Sequence, residues 1–367
     1  MRNDKVIIGF GEVMLRLAPP EHLRLFQTLP GTLKATFGGG EANVCASLAI
    51  LGECSRYVTA IPDNPISEAF IFQIRGLGVD TSRILLNKSG RFGVYYVEAG
   101  ANQRPSNVLY DREYSAISQT SPQEYDWDGI LENAKWLHLS GITPALSEKA
   151  FQSTLAIAKK AKEKNIMVSC DLNFRKKLWK WDPSKTPNQL ADECMTQILR
   201  NVDVIVGNEE DALDVFGINA GHSDVGKGRV DVKSYKEVAE KMAAKFPQAK
   251  YVAITLRESV SASHNNWGAM LYVTGSGSAC FAPLDSNLAY SPYQITDIVD
   301  RVGGGDSFSA GLIFALNNAD LSEPEKAIAF ATAASCLKHS ISGDYSYVQL
   351  KEVMSLMQGN ASGRVAR

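Results

Sequence analysis

Short runs of β-branched and aliphatic residues alternate along this chain with longer stretches whose apolar positions recur every three or four residues. Residues 6–9, 56–60, 136–139, 166–171, 202–206 and 251–256 each read as a buried strand of a parallel sheet. Between them, helical periodicity predicts helices over 41–51, 67–77, 147–165, 187–200, 209–216 and 234–246. Strand and helix alternating at this spacing is the βαβ signature, so an α/β fold is expected: a mostly parallel sheet covered by helices on both faces. The C-terminal third then turns helical, over 306–317, 323–339 and 347–358.

Two segments break the pattern. Residues 12–37 and 91–118 carry strand-like, tyrosine-rich alternation (Val94, Tyr96, then Val108, Tyr110) around the turn-like stretch 100–105, with no helix between. They read as antiparallel hairpins outside the main sheet, either a small β lid or ordinary surface hairpins. Residues 217–233 are polar and glycine-rich and read as a long surface loop.

Composition narrows the function classes. Of the 367 residues, 45% are hydrophobic and 21% charged, enough for a large core and incompatible with disorder. The net charge of −2 provides no global field for nucleic acid or acidic lipid, so neither is an expected partner and any bound anion must be met locally. The six cysteines form no CxxC pair and read as reduced core thiols, as expected in the cytoplasm. The five histidines show no metal-ligand spacing. No run approaches the roughly 20 apolar residues of a membrane helix, so a soluble protein is expected.

Glycine is ordinary in total, at 29, but two runs of three stand out: Gly38–Gly40 and Gly303–Gly305. Several near-miss motifs fall away. The stretch 221–228 has P-loop spacing but offers Gly228 where Ser or Thr must ligate Mg²⁺. Gly9-Phe10-Gly11 begins a dinucleotide fingerprint that Met14 ends. Gly305-Asp306-Ser307-Phe308-Ser309 lacks the last glycine of a nucleophile elbow.

The run Gly303-Gly304-Gly305 is different. An apolar approach precedes it, Asp306 follows, and Phe308, Leu312, Ile313 and Leu316 then mark one face of a helix beginning near Asp306. Glycines before a helix let backbone N–H groups approach a ligand, and the helix N-terminus adds partial positive charge, an anion hole suited to phosphate. A carboxylate at its rim repels phosphate. It makes sense if Asp306 accepts the proton of a second substrate's hydroxyl while the amides hold the transferring phosphoryl group.

Residues 300–311 resemble the C-terminal signature of the ribokinase/PfkB sugar-kinase family, and Gly38-Gly39-Gly40-Glu41-Ala42-Asn43-Val44 resembles its N-terminal signature. Finer features resemble the branch that acts on 2-keto-3-deoxygluconate: 11–17, 104–112, 171–175 and 337–344. The resemblance implies a ribokinase-like three-layer α/β/α core (1–11, 38–90, 119–367) with a β lid (12–37, 91–118). It further implies ATP-dependent phosphorylation of 2-dehydro-3-deoxy-D-gluconate on its terminal hydroxyl, with Mg²⁺ required. By that resemblance Asp306 is the catalytic base and Gly303, Gly304 and Gly305 form the anion hole. Arg112 and Arg175 would grip the substrate carboxylate in bidentate fashion. Gly39, Asn43, Tyr95, Tyr110 and Asp344 would contact sugar, with Tyr96 adjacent to Tyr95. Asn173, Thr255 and Arg257 would lie near ATP. Asn208 would help hold Mg²⁺ through water, together with either Asp211 or Glu210. Asp300 resembles the residue beside a monovalent cation in some relatives, but Val302 stands where threonine is common. Other readings are a kinase for a ketose such as fructose, or a catalytically silent sugar-acid sensor. A lid with exposed apolar faces implies a homo-oligomer.

Overall fold

The computed structural model describes residues 5–219 and 232–359. Its strands, in chain order, are β1 (Val6–Phe10), β2 (Met14–Ala18), β3 (Lys34–Gly38), β4 (Ser55–Val58), β5 (Ala60–Pro62), β6 (Leu85–Asn87), β7 (Gly93–Glu98), β8 (Asn107–Asp111), β9 (Ala134–Ser140), β10 (Met167–Asp171), β11 (Val204–Gly207), β12 (Tyr251–Ser261), β13 (His264–Val273), β14 (Ser278–Ala282) and β15 (Tyr293–Ile295). The α-helices are α1 (Leu25–Thr28), α2 (Gly40–Ile50), α3 (Pro65–Gly76), α4 (Ala116–Gln119), α5 (Trp127–Ile130), α6 (Glu148–Glu163), α7 (Pro187–Leu199), α8 (Glu209–Phe216), α9 (Val232–Lys245), α10 (Gly304–Leu316), α11 (Pro324–Lys338) and α12 (Leu350–Met357).

The main sheet runs in the order β14-β13-β12-β11-β10-β9-β1-β4, with β15 also paired to β13. From β4 to β12 every pairing is parallel. Successive residues of each parallel strand serve opposite faces. Ile8, Leu137 and Ile205 belong to a core shared with α6, α7 and α9, whereas Ile7, Trp136 and Val204 belong to a second core with α2, α10 and α11. Strands buried on both sides have no polar alternation, which explains their continuous apolar runs.

Three sequence expectations need correction. The C-terminal third is not helical throughout: β13 and β14 extend the sheet antiparallel to β12, and β15 pairs antiparallel with β13. The apolar run 267–273 follows β12 through a short polar turn, a direct hairpin with no helix to announce a new strand. Residues 12–37 and 91–118 do form antiparallel hairpins outside the main sheet, β2 with β3 and β7 with β8, but not without a helix between. Their strands make one sheet, β3-β2-β7-β8, whose central pair β2 and β7 is parallel. They also contain the one-turn helices α1 and α4, missed because four residues carry no measurable period. Third, α10 begins at Gly304 rather than near 306, since the left-handed Gly303 (φ 83°) caps it.

The loop read over 217–233 and the P-loop-like stretch 221–228 lie largely or wholly outside the described residues. Among the described residues all six cysteines are free thiols, and no helix is long and apolar enough to cross a membrane.

Candidate active site

Asp171 and Gly207 at the carboxyl ends of β10 and β11, Thr255 and Arg257 of β12, and the first turns of α2 and α10 line one space with Met14, Tyr95 and Tyr110 of the small sheet. This is where parallel α/β sheets leave a crevice for ligands.

The first glycine run joins β3 to α2. A Cβ at Gly38 would strike the Asp344 carboxylate, and one at Gly39 would strike the Glu12 carbonyl, so both are glycine for lack of room. Gly39 caps α2, and its N–H donates to Asn43 Oδ1 at 3.3 Å. The other end of that amide is turned to the second run: Asn43 Nδ2 donates to Asp306 Oδ2 at 2.6 Å. In the second run a Cβ on Gly303 would meet the Asp344 backbone, and one on Gly304 would lie 3.1 Å from the His339 ring. Gly305 has nothing within 4 Å of its Cβ direction, so packing does not require a glycine there. Asp306 follows in the first turn of α10.

Burial among other acids pushes the Asp306 carboxyl up to about 6, with Asp344 raising it and Asn43, Arg175 and Lys338 pulling it down. That value suits a general base working near neutrality. Two further carboxyls crowd it. Burial pushes Glu41 up to about 7 although Ser140 Oγ donates to it at 2.6 Å. Burial, then Asp211 and Asp306, raise Asp171 at the end of β10.

The small sheet supplies a polar cluster. Arg16 on β2 bonds Asp344 Oδ1 at 2.8 Å and Asp300 Oδ2 at 2.6 Å, and the Tyr95 hydroxyl donates to both Asp344 oxygens at 2.7 and 2.6 Å. Asp344 is thus held by two partners rather than offered free, and burial still raises its pKa. Tyr110 faces Tyr95 with ring centroids 6.0 Å apart, and Tyr95 rather than Tyr96 lines the cavity.

The two arginines differ from their expected equivalence. Arg112 is buried, its Nε donating to Glu12 Oε2 at 2.7 Å and its Nη2 to the same oxygen, with its guanidinium 5.3 Å from the Tyr110 ring centroid. The edge expected to fork a substrate carboxylate is therefore taken by Glu12. Arg175 is exposed in the cavity wall, and its charge lowers the carboxyls of Asp171, Asp211 and Asp306.

At the β11 end, Asn208 caps α8: its Oδ1 accepts from Asp211 N at 2.8 Å, while Asp211 Oδ2 accepts from Asn208 N at 3.1 Å. Asp211 Oδ1 accepts from Phe174 N at 2.9 Å. Both Asp211 oxygens are engaged by backbone amides, whereas Glu210 is exposed and lines the cavity. Asn173, in a left-handed conformation (φ 36°), Thr255 and Arg257 complete that wall.

A single cavity of about 700 Å³ is lined by Gly39, Asn43, Tyr95, Tyr110, Arg112, Asn173, Arg175, Asn208, Glu210, Asp211, Thr255, Arg257, Gly303, Gly304, Gly305, Asp306 and Asp344. Every residue expected at the site is present in it. Sequence reasoning did not single out Arg16, Asp171 or Arg301. The charged residue inside an apolar strand was the available signal for Arg16.

The sequence matches the pfkB family carbohydrate kinases over residues 6–349. The chain belongs to this family. A solved 2-dehydro-3-deoxygluconokinase from Thermotoga maritima is similar with 40% identity and a TM-score of 0.86, covering 97% of this chain and 100% of that one. The 2-dehydro-3-deoxygalactonokinase of Haloferax volcanii is 29% identical over 97% of this chain and 98% of its own length. The 2-dehydro-3-deoxygluconokinase of Bacillus subtilis is 24% identical, over 83% and 81%. As a pfkB family carbohydrate kinase the protein transfers a phosphoryl group from ATP to a sugar hydroxyl, on a ribokinase-like fold.

Proposed function

We propose that this carbohydrate kinase phosphorylates 2-dehydro-3-deoxy-D-gluconate on its terminal hydroxyl. The observation that carries the reading is Arg175, an exposed guanidinium in the wall of the cavity that holds Asp306. A neutral sugar has no use for such a cation, whereas a sugar acid pairs its carboxylate with it. Arg112 contributes its remaining N–H edge and fixes the wall through Glu12. Tyr95, Tyr110, Gly39, Asn43 and Asp344 shape the sugar half.

Asp306 accepts the hydroxyl proton, and Asn43 holds the carboxylate in line for it. The amides of Gly303, Gly304 and Gly305 at the α10 N-terminus receive the charge of the transferring phosphoryl group, so positioning and neutralisation supply most of the rate. The glycine cradle and the cations Arg257 and Arg301 beside it fit the phosphates of ATP. Asn173 and Thr255 flank the nucleotide. Mg²⁺ held on those phosphates would neutralise their charge; the exposed Glu210 would hold it through water with Asn208 beside it, both Asp211 oxygens being engaged by backbone amides.

The sheet β3-β2-β7-β8 acts as a lid over the sugar half, spanning roughly 12–37 and 91–118. Its exposed Phe26 (76%), Leu109 (57%) and Tyr114 (70%) support contact with a second copy of the chain. The free thiols support a cytoplasmic setting. A second reading, the galactonate epimer as substrate, is favoured by the similarity to the Haloferax volcanii kinase. Coupled ADP release with the gluconate epimer, the galactonate epimer and fructose in parallel tests both. Preference for either sugar acid over fructose by about 100-fold supports the carboxylate reading, and fructose as the better substrate sinks it.

A further inference from the structure

Lys338 is the only fully buried lysine among the described residues. It ends α11, where a lysine ordinarily extends its ammonium to water. Here it turns inward. Its Nζ donates to the carbonyl of Ile341 at 3.0 Å, and its Cε would lie 3.2 Å from a Cβ on Gly303, so the side chain runs beneath the glycine cradle.

Burying an ammonium costs several kcal/mol unless nearby groups compensate it. The compensation does not take the form of a direct ion pair. Asp300 accepts from Arg16, from Val302 N and from Gly343 N, and Asp344 accepts from Arg16 and Tyr95. Both carboxylates are already supplied with donors. They act on Lys338 through space, as does Asp306: burial lowers the ammonium pKa while all three acids raise it, and the neighbouring Arg16 opposes them. The cation in turn draws the Asp306 carboxyl down. Lys338 therefore sits between the turn 300–303 and the segment 339–344, two stretches of chain that together shape the cradle, and it carries a positive charge that no carboxylate among the described residues takes up as a salt bridge.

We propose that Lys338 is a positioning residue of phosphoryl transfer, a built-in cation that holds the turn 300–303 in register and adds positive charge beneath the amides of Gly303–Gly305, so that the cradle needs no dissolved monovalent cation. The proposal rests on the reading of that cradle as the phosphate site. It makes no use of the sugar acid, so the two can fail separately.

The first test uses the wild-type enzyme. Turnover measured in tetramethylammonium buffer changes less than about twofold when K⁺ or NH₄⁺ is added to 100 mM, and stimulation of about tenfold overturns the proposal. The second uses Lys338→Met, which keeps the length of the side chain without its charge, and Lys338→Ala. Expected are a loss of about tenfold or more in ATP affinity by calorimetry, a fall in kcat, and an unchanged KM for the sugar. In Lys338→Ala, added NH₄⁺ restores part of the lost ATP affinity. A Met variant with wild-type ATP affinity and kcat overturns the proposal and leaves Lys338 as packing alone. Should both variants fail to fold, the wild-type cation titration still decides. ATP binding is read without sugar, so an error in the choice of sugar acid leaves this result intact.

Discussion

The two glycine runs look alike in sequence and differ in what they are for. Gly38, Gly39 and Gly303 are required by packing, each pressed against Asp344 or Glu12, and Gly303 also by its left-handed backbone. Gly40, whose Cβ would lie 3.6 Å from Asp306 Oδ1, and Gly305, with open space around it, are not. The pressed glycines bring two helix N-termini together. All six glycines line the cavity, and at Gly40 and Gly305 the ligand space rather than packing accounts for the missing side chain. A glycine run in a binding loop therefore contains both structural and functional positions, and only the geometry separates them.

Substitutions sharpen that division, the largest effect coming first. Gly303→Ala combines a strained backbone with a clash against the Asp344 carbonyl and should cost about 3 kcal/mol or more in chemical denaturation. Arg112→Leu leaves Glu12 buried without its partner and should cost about 3 kcal/mol, partly recovered in the double variant with Glu12→Gln. Arg175→Leu breaks no described ion pair. It should leave stability within about 0.5 kcal/mol and reduce kcat/KM for the sugar acid about 100-fold, with ATP affinity unchanged. An equal loss of ATP affinity would move Arg175 to the nucleotide side. Gly305→Ala should fold at least as well as wild type, since alanine favours helix, yet lower kcat about tenfold by crowding the phosphate amides. If it is silent, the open glycine carries no function.

The smallest effects concern pH. Asp306 must be ionised to accept a proton, so kcat/KM should fall with unit slope as pH drops through about 6. The same raised pKa acts on stability with the opposite sense. The folded state holds this proton to higher pH than the unfolded chain does, so stability is lost as pH rises from roughly 4 to 6. Asp306→Asn should accordingly raise Tm by a few degrees at pH 7.5, and the gain should vanish near pH 4.

Much of this site was legible in the chain. Strand runs at the ends of which Asp171 and Asn208 fall, the helix periodicity after Asp306, and the glycine placement located the cavity wall by wall. What was not legible depends on partners distant in sequence. Arg112 and Glu12 are 100 residues apart and Arg16 and Asp344 are 328 apart, and no local pattern announces either pair. The parallel pairing of β2 with β7 is invisible for the same reason, since each segment alone shows only strand alternation. The Asp211 cap could have been read from Asn208 followed three residues later by an acid.

The convergence of two helix starts on Asp306 makes its carboxylate the proposed base. Asp306→Asn tests it most directly when sugar-acid binding and turnover are measured on the same preparation. Binding is expected within about threefold of wild type by calorimetry, with turnover reduced by about 10³-fold or more. Binding lost together with turnover would make Asp306 a structural residue, and turnover retained would place the base elsewhere.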